Sequence, residues 1–455
     1  MGMVFSESAY EDMLQKLFCR FPSFQKDGAS AYKPGIANME FADQLMGHPH
    51  RRYDIIHVAG TNGKGSVSNM LASALAADGR KVGLYTSPHI IDFRERIRVV
   101  KDTVELIPKE AVWDFVSRWR DTFDHLDLSF FEITTLMALD WFAGQDVDCV
   151  VLETGLGGRL DSTNIVTPVL SVITNIGLDH CDMLGDTLPE IAFEKAGIIK
   201  PKVPVVVGES HPDTERVFER KVLYTNISEP EYMGSRNAVM SLLTFADKTE
   251  PFMWDRHEEL LAGMDLKGEY QRCNLRTALA ALQVLGVRPD PEALVSTAAR
   301  TGFHGRWEKV SENPLTICDI GHNEHGLKYN FAQLERMLRD GECSGLIIVY
   351  GSVADKDVDA VIRMMPSDAV YVFTQASGKR AMPAETVRDR YLGFCTSAGR
   401  DTGDVHCAGT VIEALDIAYG LAASAVKADS AARPLVYVGG STYVVAEAVS
   451  ALKGK

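Results

Sequence analysis

The sequence predicts two α/β domains, a larger one built on a mainly parallel sheet and a smaller one of the same class. The first observation is length, because 455 residues exceed what a single core of ordinary size organises. The second is that short β-branched runs alternate with helix-like stretches, as in parallel sheets flanked by helices. The third is that this alternation begins again after about residue 305. We therefore expect a boundary near Gly302 to Gly305, with domains at 1–304 and 305–455.

The individual elements follow from these runs. Five strands are predicted in the first domain, at YDIIHV, KVGLYTS, DCVVLE, VLSVIT and VPVVVG. Several are apolar on both faces, which indicates helices on both sides of the sheet. Helices are predicted at VSNMLASALAADG and, just before the boundary, at NLRTALAALQVLG. The second domain repeats the pattern with LTICDI, GLIIVYGS, AVYVFTQ and PLVYVGG, so we expect a smaller Rossmann-like α/β unit.

Composition excludes several classes of protein. The hydrophobic fraction of 46% and the charged fraction of 24% are typical of soluble globular proteins. A formal net charge of −15 argues against general nucleic-acid binding, which needs a basic face. The eight cysteines form no C-x-x-C pair, so we expect reduced thiols rather than disulfides or a zinc site. No signal peptide or membrane-spanning run is apparent, and we expect a cytoplasmic protein without membrane partners.

The stretch IIHVAGTNGKGS has the composition of a phosphate-binding loop between a strand and a helix. Glycines let the backbone approach phosphates, and the N–H groups and helix N-terminus supply positive potential. Lys64 would add a mobile charge, and the alternative is a tight glycine-rich turn. The usual fingerprint has glycine where Val58 stands and has no residue corresponding to Gly65 between the lysine and the serine. The residues that this interpretation assigns to the phosphates are Gly60, Thr61, Asn62, Gly63, Lys64, Gly65 and Ser66.

Polar residues follow three other predicted strands. Glu153 ends DCVVLE, Asp179 and His180 come shortly after VLSVIT, and Ser87 follows KVGLY. In open parallel sheets, ligands bind at the carboxyl ends of the strands, so these side chains and the loop could share one crevice. Hydroxyl and carboxylate oxygens suit Mg²⁺, while imidazole is unusual for so hard a cation. The alternatives are that Glu153 caps a helix and that His180 is partly buried and satisfied by other partners.

A series of motifs indicates a family. AGTNGKGS, TSPH, FFEITT, ETGLGGRLDSTN, ITNIGLDHCDMLGDTLPEIAFEKAGIIK, GEYQRCN, HGRWE and CDIGHN occur in that order. This series closely resembles the dihydrofolate synthase/folylpolyglutamate synthase family, a branch of the Mur ligase superfamily, from about residue 32 to about residue 443. The family's phosphate loop reads GTNGKGS, so the resemblance also accounts for Val58 and Gly65.

The resemblance implies an activity and a set of site residues. Such enzymes use ATP to phosphorylate a folate-type carboxylate, and L-glutamate then displaces the phosphate. It implies an N-terminal ATPase domain and a C-terminal glutamate-ligase domain, two Mg²⁺ ions, and catalytic roles for Lys64, His180 and Lys195. Lys195 matches a lysine that is carbamylated in the family, and a plain lysine paired with Glu194 or Asp182 is the alternative. The Mg²⁺ ligands implied are Ser87, Glu153 and His180, with Ser66 a further candidate.

Further residues are implied for ATP and for the folate-type acceptor. Asn274, Arg306, Asp319 and His322 match ATP-binding positions. The chain departs from the family's usual Asp-Gly-Ala-His-Asn-Pro at Asp319 to Glu324 and has Tyr270 in place of a common histidine, which puts the local loop shape in doubt. FRERIR could steer anionic substrates or form a solvated basic strand. The acceptor-binding positions implied are Tyr32, Lys33, Ser129, Phe130, Phe131, Glu132, Leu160, Asp161 and Ser162, where the two phenylalanines could equally belong to the core.

Several functions remain open on this scaffold. Asp161 in GGRLDSTN resembles the form that also accepts dihydropteroate, which favours a bifunctional enzyme over one that only lengthens the glutamate tail. A Mur ligase acting on nucleotide-sugar substrates fits FFEITT and GLGGRLDSTN poorly. A nucleotide-binding protein without ligase activity is the alternative from another class. We expect small-molecule partners, no nucleic acid and, from the resemblance, a monomer.

Overall fold

The chain folds into two compact units. A computed structural model describes residues 5–21, 35–232 and 235–453. One unit comprises Met1–Asp265 and Gln271–Phe303, and the other comprises Leu266–Tyr270 and His304–Lys455. The short segment Leu266–Tyr270 thus belongs to the second unit although it lies between stretches of the first. The periodicity of strands and helices in the sequence does not indicate that so short a segment belongs to the other unit.

The first unit is built on one eight-stranded sheet. Its strands are β1 Asp54–Ala59, β2 Val82–Tyr85, β3 Ile97–Val100, β4 Val104–Leu106, β5 Cys149–Glu153, β6 Leu170–Ile173, β7 Val205–Val207 and β8 Leu243–Phe245. Their order is β4-β3-β2-β5-β1-β6-β7-β8. β3 runs antiparallel to β2 and β4 antiparallel to β3, while the other neighbours are parallel. The five strands predicted from β-branched runs are confirmed as β1, β2, β5, β6 and β7.

The described helices of this unit pack on the sheet or on one another. They are α1 Glu7–Arg20, α2 Ala37–Leu45, α3 Lys64–Ala77, α4 Lys109–His125, α5 Phe130–Gly144, α6 Cys181–Leu184, α7 Leu188–Lys195, α8 Pro212–Asn226, α9 Arg236–Met240, α10 His257–Gly263, α11 Gln271–Val284, α12 Pro291–Val295 and α13 Thr297–Thr301. One core cluster joins α1, α4 and α5 to β2 and β5, and another joins α7 and α8 to β6 and β7. Both predicted helices are confirmed, although α3 and α11 each begin three residues earlier than their apolar periodicity indicates.

The second unit contains a six-stranded sheet. Its elements are β9 Glu308–Glu312, β10 Leu315–Cys318, α14 Glu324–Arg339, β11 Gly345–Tyr350, α15 Val358–Ile362, β12 Ala369–Phe373, α16 Ala384–Ala398, β13 Val405–Cys407, α17 Val411–Ala428, β14 Pro434–Gly439 and α18 Thr442–Lys453. The order is β13-β12-β11-β14-β10-β9, with only β9 antiparallel to its neighbour. The four predicted strands, β10, β11, β12 and β14, are confirmed, as is the α/β class of both units.

The FRERIR segment corrects an expectation. Phe93–Arg96 is a 3-10 turn, and β3 follows it directly. Arg96 and Arg98 are only 3% and 2% exposed, so a solvated basic strand is wrong for both. The Arg96 guanidinium donates to Nδ1 of His89 at 2.8 Å. Two of the three arginines are therefore internal structural groups rather than a surface that steers substrates.

Across the described parts of the chain, no helix combines the length and apolar character needed to cross a bilayer.

Candidate active site

Four neighbouring parallel strands bring the predicted phosphate and metal residues to one edge of the first unit. β2, β5, β1 and β6 are adjacent in the sheet and run in the same direction. Their carboxyl ends lead into Ser87, Glu153, the loop Gly60–Ser66 and the pair Asp179–His180, respectively. The sheet order thus gathers residues that lie up to about 120 positions apart in sequence, at the edge where open parallel sheets bind ligands.

The glycine-rich loop is braced by residues that follow β6. The Thr61 N–H donates to the carbonyl of Asn175 at 3.0 Å, and the Asn62 N–H donates to the Asn175 side-chain oxygen at 2.9 Å. Thr174 donates its hydroxyl to the Asn62 carbonyl at 2.5 Å. Gly60 has a φ of 153°, and a Cβ there would lie 1.8 Å from Thr174 Oγ1. Glycine is therefore required for the loop to sit this close to β6.

Helix α3 begins at the end of this loop. Gly63 is its N-cap in the left-handed region, with φ 81°, and a Cβ there would lie 2.1 Å from the side-chain oxygen of Asn274. Asn274 donates to Gln271 at 2.8 Å, and Gln271 donates to the Ser66 hydroxyl at 3.2 Å. The structure therefore brings Asn274 to the loop. The N-terminus of this 14-residue helix is a favourable place for an anion.

Two lysine amines converge on the same loop. Lys64 donates to the carbonyls of Gly60 at 3.0 Å and Thr61 at 3.3 Å. Lys195, the last residue of α7, donates to the Gly60 carbonyl at 2.9 Å and is 3% exposed. Burial lowers the pKa of the Lys195 amine to about 7, and the nearby charge of Lys64 adds to that shift.

The alternative for Lys195, an ion pair with an acidic neighbour, is wrong for the described residues. Glu194 instead pairs with Arg159, with an N–O distance of 2.8 Å. In this part of the chain Lys195 also forms no ion pair with Asp182, and its amine faces the phosphate loop.

Glu153 lies beside both the loop and Ser87. It is 2% exposed, and its Oε2 atom accepts the backbone N–H of Ser87 at 3.2 Å. The same oxygen would be 3.8 Å from a Cβ at Gly65, so the carboxylate faces the start of α3. The Ser87 N–H lies beyond β2 and outside the described helices, so this hydrogen bond joins Glu153 to the segment that follows the neighbouring strand.

His180 occupies the next loop along the sheet edge. Its backbone is left-handed, with φ 54°, and it directly precedes α6. Its N–H donates to Asp179 Oδ1 at 2.9 Å, and its Nε2 atom lies 3.8 Å from Asp179 Oδ2. His180 therefore belongs to the same edge as Glu153, with Asp179 orienting it.

The donor set can be tested against a divalent cation. Among the described residues, no group of three or more His, Cys, Asp or Glu side chains is placed to hold a metal alone. Mg²⁺, however, is commonly held by one or two protein oxygens together with substrate phosphates and water. Glu153, with the hydroxyls of Ser66 and Ser87 beside the phosphate loop, fits that pattern. His180 suits Mn²⁺ or another softer cation better than Mg²⁺.

The segment Ser129–Glu132 forms the beginning of α5. The Ser129 N–H donates to the Glu132 carboxylate at 2.6 Å, and the Glu132 N–H donates to the Ser129 hydroxyl at 3.3 Å, which is a capping box. Phe130 is buried, and its ring stacks on Phe18 with 4.6 Å between centroids. Phe131 is half-buried, and a Cβ at Gly155 would lie 2.4 Å from its ring. Core packing thus accounts for Phe130, while Phe131 contacts the loop after β5.

Leu160, Asp161 and Ser162 lie in that loop. Asp161 is 4% exposed, and its carboxylate accepts the N–H groups of Leu156 at 2.8 Å and Thr163 at 3.0 Å. Asp161 therefore organises the loop from inside, while Leu160 and Ser162 are half-buried. Two further predicted acceptor-binding residues, Tyr32 and Lys33, lie outside the described residues.

In the second unit, Asp319 is the centre of a hydrogen-bond network. Its Oδ2 atom accepts from the Tyr270 hydroxyl at 2.6 Å and the Trp307 N–H at 2.8 Å. Its Oδ1 atom accepts from the Gly321 N–H at 2.7 Å and from Asn330 at 2.8 Å. The departures from the family pattern at Gly321 and Tyr270 thus meet at one buried carboxylate. These bonds give Asp319 a structural role beside its predicted role in binding ATP.

The other predicted nucleotide residues of this unit lie near the same segment. Arg306 is half-buried and immediately precedes Trp307. His322 is also half-buried, and its Nδ1 atom lies 3.1 Å from the carbonyl of Ile320. Arg306 precedes Trp307 and His322 follows Gly321. Because the N–H groups of Trp307 and Gly321 both donate to Asp319, one carboxylate orients both loop segments.

Sequence reasoning missed three supporting residues. Asn175 holds the phosphate loop, Gln271 bonds Ser66, and Arg98 donates to the Thr86 hydroxyl at 2.8 Å just before Ser87. Asn175 could have been predicted from its position, because it lies just after the carboxyl end of β6, as Glu153 lies at the carboxyl end of β5. The contacts of Gln271 and Arg98 depend on chain segments far away in sequence, and no local signal indicates them.

Comparison with known proteins identifies similar chains. The family model of the Mur ligase middle domain matches residues 58–282, and that of the Mur ligase glutamate ligase domain matches residues 305–430. The chain is 33% identical over 392 residues to the dihydrofolate synthase/folylpolyglutamate synthase of Bacillus subtilis, covering 82% of this chain and 88% of that protein.

Solved structures show the same similarity. The fold is similar to that of E. coli FolC in complex with DHPP and ADP, with a TM-score of 0.76, 27% identity and 98% of each chain covered. It is also similar to the bifunctional folylpolyglutamate synthase/dihydrofolate synthase of Yersinia pestis complexed with AMPPNP and Mn ion, with a TM-score of 0.75 and 26% identity over 98% of each chain.

Proposed function

The chain belongs to the dihydrofolate synthase/folylpolyglutamate synthase family of Mur ligases, and from this membership we propose how its residues carry out the reaction. It is an ATP-dependent ligase that joins L-glutamate through an amide bond to a folate-type carboxylate. We assign it both family activities, addition of the first glutamate to dihydropteroate and extension of folyl glutamates. The observation that carries this proposal is the convergence of the glycine-rich loop, Glu153 and Lys195 at one sheet edge.

The reaction has two steps whose charges these residues can stabilise. An oxygen of the acceptor carboxylate attacks the γ-phosphorus of ATP, and the bond to the bridging oxygen breaks, giving ADP and an acyl phosphate. The glutamate nitrogen then attacks the acyl carbon, loses a proton, and phosphate leaves. Negative charge builds up on phosphoryl and tetrahedral oxygens, so fixed donors and positioning dominate. The N–H groups of Gly63 to Ser66, at the start of α3, and the amine of Lys64 would supply those donors, while the N–H groups of Thr61 and Asn62 hold the loop to Asn175.

Ser66, Ser87, Glu153 and His180 would hold two Mg²⁺ ions next to the phosphates. Such ions neutralise phosphate charge and polarise the transferred phosphoryl group. The Glu153 carboxylate is buried, lies 3.2 Å from the backbone nitrogen of Ser87 and faces the start of α3, which supports its place in this set. We also assign Asn274, Arg306, Asp319 and His322 to ATP binding, with Asp319 acting mainly by ordering its own loop.

Lys195 is proposed to be carbamylated. The neutral amine attacks carbon dioxide, a nitrogen–carbon bond forms as one carbon–oxygen π bond becomes a lone pair on oxygen, and the nitrogen releases one proton, which converts a neutral amine into an anionic oxygen ligand. Burial and the nearby charge of Lys64, which lower the pKa of this amine to about 7, favour the neutral form that this step requires. His180 and Lys64 are the other two residues assigned catalytic roles.

The acceptor is proposed to bind next to the phosphate loop. The segments Ser129–Glu132 and Leu160–Ser162, together with Tyr32 and Lys33, would contact it, and Phe131 offers an aromatic face for a flat heterocycle. Residues 1–304 would act as the ATPase domain and residues 305–455 as the glutamate-ligase domain. We infer that the protein works as a cytoplasmic monomer, which light scattering and cell fractionation test.

An isotope-transfer experiment tests this function. The acceptor carboxylate is labelled with heavy oxygen and incubated with Mg²⁺-ATP and L-glutamate. An acyl phosphate mechanism places one labelled oxygen in the phosphate released and the rest in the amide product. Phosphate without label contradicts the mechanism, and an absence of both phosphate and product would leave a nucleotide-binding protein without ligase activity.

A further inference from the structure

A buried polar chain runs from the middle of strand β1 to the loop after β5. His57 lies on β1, three residues before Gly60, and is fully buried. Its Nε2 atom lies 2.8 Å from the hydroxyl of Thr163, and that hydroxyl lies 2.5 Å from Asp161 Oδ1. The strand that carries the phosphate loop is thereby tied through side chains to the segment Leu160–Ser162.

The direction of these hydrogen bonds follows from the donors available. The carboxylate of Asp161 can only accept, so Thr163 donates its one hydroxyl proton to Asp161. Thr163 must then accept from His57, which requires the tautomer with the proton on Nε2. The Nδ1 atom of His57 is buried and has no hydrogen-bond partner in the described part of the chain. Burial lowers the pKa of His57 to about 3, so the ring is neutral at physiological pH.

Asp161 transmits this contact to the loop backbone. Besides the Thr163 hydroxyl, it accepts N–H groups from Leu156 and Thr163, which stand at the two ends of the turn. The loop in turn lies against Phe131, because Gly155 leaves no room for a Cβ next to that ring. Rotation of the carboxylate would therefore disturb both the turn and its contact with the start of α5.

Packing alone gives a poor account of His57. The neighbouring β1 residues Ile55, Ile56, Val58 and Ala59 are all apolar and buried, and an apolar side chain at 57 would avoid a buried nitrogen without a partner. Such a nitrogen is costly. The hydrogen bond between His57 and Thr163 is the specific interaction that an apolar side chain at this position could not make.

We propose that His57 is a positioning residue for acceptor selection, which acts through Thr163 to hold Asp161 and the loop Gly155–Ile165 in the shape that receives dihydropteroate. This inference rests on the proposed function, in which Leu160–Ser162 contact the acceptor. Because dihydropteroate lacks the glutamate tail of a folate, its binding depends more on the loop around its heterocycle and carboxylate. Loss of the hydrogen bonds that join His57, Thr163 and Asp161 should thus weaken the binding of dihydropteroate more than that of tetrahydrofolate.

The test compares Thr163→Val, which removes the hydroxyl with little change of shape, with Thr163→Ser, which keeps it. For each variant kcat and KM are measured with dihydropteroate and with tetrahydrofolate. For Thr163→Val we expect KM for dihydropteroate to rise about tenfold, the factor corresponding to one hydrogen bond, and the preference for dihydropteroate to fall by a similar factor. Thr163→Ser should restore most of the preference.

Two controls separate this role from general stability. Thr214→Val removes another buried hydroxyl of the same unit, one that donates to the His211 carbonyl at 3.4 Å, and should leave the preference unaltered. If Thr163→Val does not fold, His57→Gln, which keeps a donor, is compared with His57→Leu, which removes it.

Three outcomes are informative. Equal losses with both acceptors, or an unchanged preference in Thr163→Val, would overturn the inference while leaving the proposed function standing. Wild-type protein that ligates glutamate to tetrahydrofolate alone would remove its premise and overturn it too. Wild-type protein inactive with both acceptors would instead overturn the proposed function.

Discussion

The amines of Lys64 and Lys195 donate to one backbone atom, the carbonyl oxygen of Gly60, at 3.0 and 2.9 Å. Two amines around one neutral acceptor repel each other when both are charged, and that repulsion contributes to the lowered pKa of Lys195. An anion at the loop, or a carbamate on Lys195, would turn this repulsion into attraction. The pair therefore links the nucleotide site to the predicted modification.

Substitution of Lys64 tests the phosphate loop. Lys64→Ala should reduce ATP-dependent phosphate release by at least about a hundredfold, because it removes the only lysine within the loop that can reach the outer phosphates. Circular dichroism and the melting temperature should stay close to wild type, since the side chain is only part-buried. Lys101→Ala, which changes an exposed lysine in the turn before β4, is the matched control. A folded Lys64→Ala protein with substantial turnover would exclude this role.

Carbamylation of Lys195 predicts a dependence on pH and bicarbonate. With the pKa at about 7, the neutral fraction of the amine rises between about pH 6 and pH 8, and carbamate formation rises with it. Labelled bicarbonate should give a carbamate signal in nuclear magnetic resonance spectra of wild type and none in Lys195→Arg. Small carboxylates should partly restore the activity of Lys195→Ala. Fully active protein without the carbamate signal would contradict the modification.

The sequence predicts the strand-end residues well because each is specified locally. The run YDIIHV and the glycines after it place the phosphate loop, and the ends of β2, β5 and β6 place Ser87, Glu153 and His180. Long-range packing was not predictable. Arg98 lies in a segment whose sequence suggests an exposed basic strand, yet the side chain is buried and donates to the Thr301 carbonyl. Thr301 lies 203 positions away in sequence, so no local pattern indicates this contact. His57 reads as one more residue of a core strand until Thr163 is seen beside it.

Arg98 is expected to stabilise the sheet edge. Its guanidinium donates to the Thr301 carbonyl at 2.6 Å and to the Thr86 hydroxyl at 2.8 Å. Arg98→Met keeps most of the side-chain volume but leaves both acceptors without this donor, and should reduce the free energy of unfolding by about 1–3 kcal/mol. Arg94→Met, which breaks a half-exposed pair with Asp92, should cost less than about 1 kcal/mol. Denaturant unfolding measures both, and equal effects would contradict the structural role of Arg98.

His57 and His89 predict sensitivity to acid. Burial lowers the pKa of each imidazole to about 3, aided for His57 by the charge of Lys200 and for His89 by Arg96. The unfolded chain takes up these protons below its pKa of about 6.5, whereas the folded chain does so only near 3. Above pH 6.5 these two histidines therefore do not lower the free energy of unfolding. As pH falls from 6.5 toward 3, the unfolded chain binds protons that the folded chain does not, and the free energy of unfolding decreases.

At pH 5 this loss amounts to about 2 kcal/mol for each residue. Urea midpoints measured at pH 7.5 and pH 5 should fall accordingly, and His57→Gln should show a smaller fall. A midpoint independent of pH over this range would show that these histidines are not buried in the neutral form.

The mass of the product formed by the wild-type protein tests bifunctional glutamate ligation directly. Purified protein is incubated with Mg²⁺-ATP and L-glutamate, first with dihydropteroate and then with tetrahydrofolate, while ADP release is followed. We predict ADP release with both acceptors and a product heavier by one glutamyl unit in each case. ADP release and a heavier product with tetrahydrofolate alone would contradict bifunctionality, and neither acceptor gaining mass would contradict ligase activity itself.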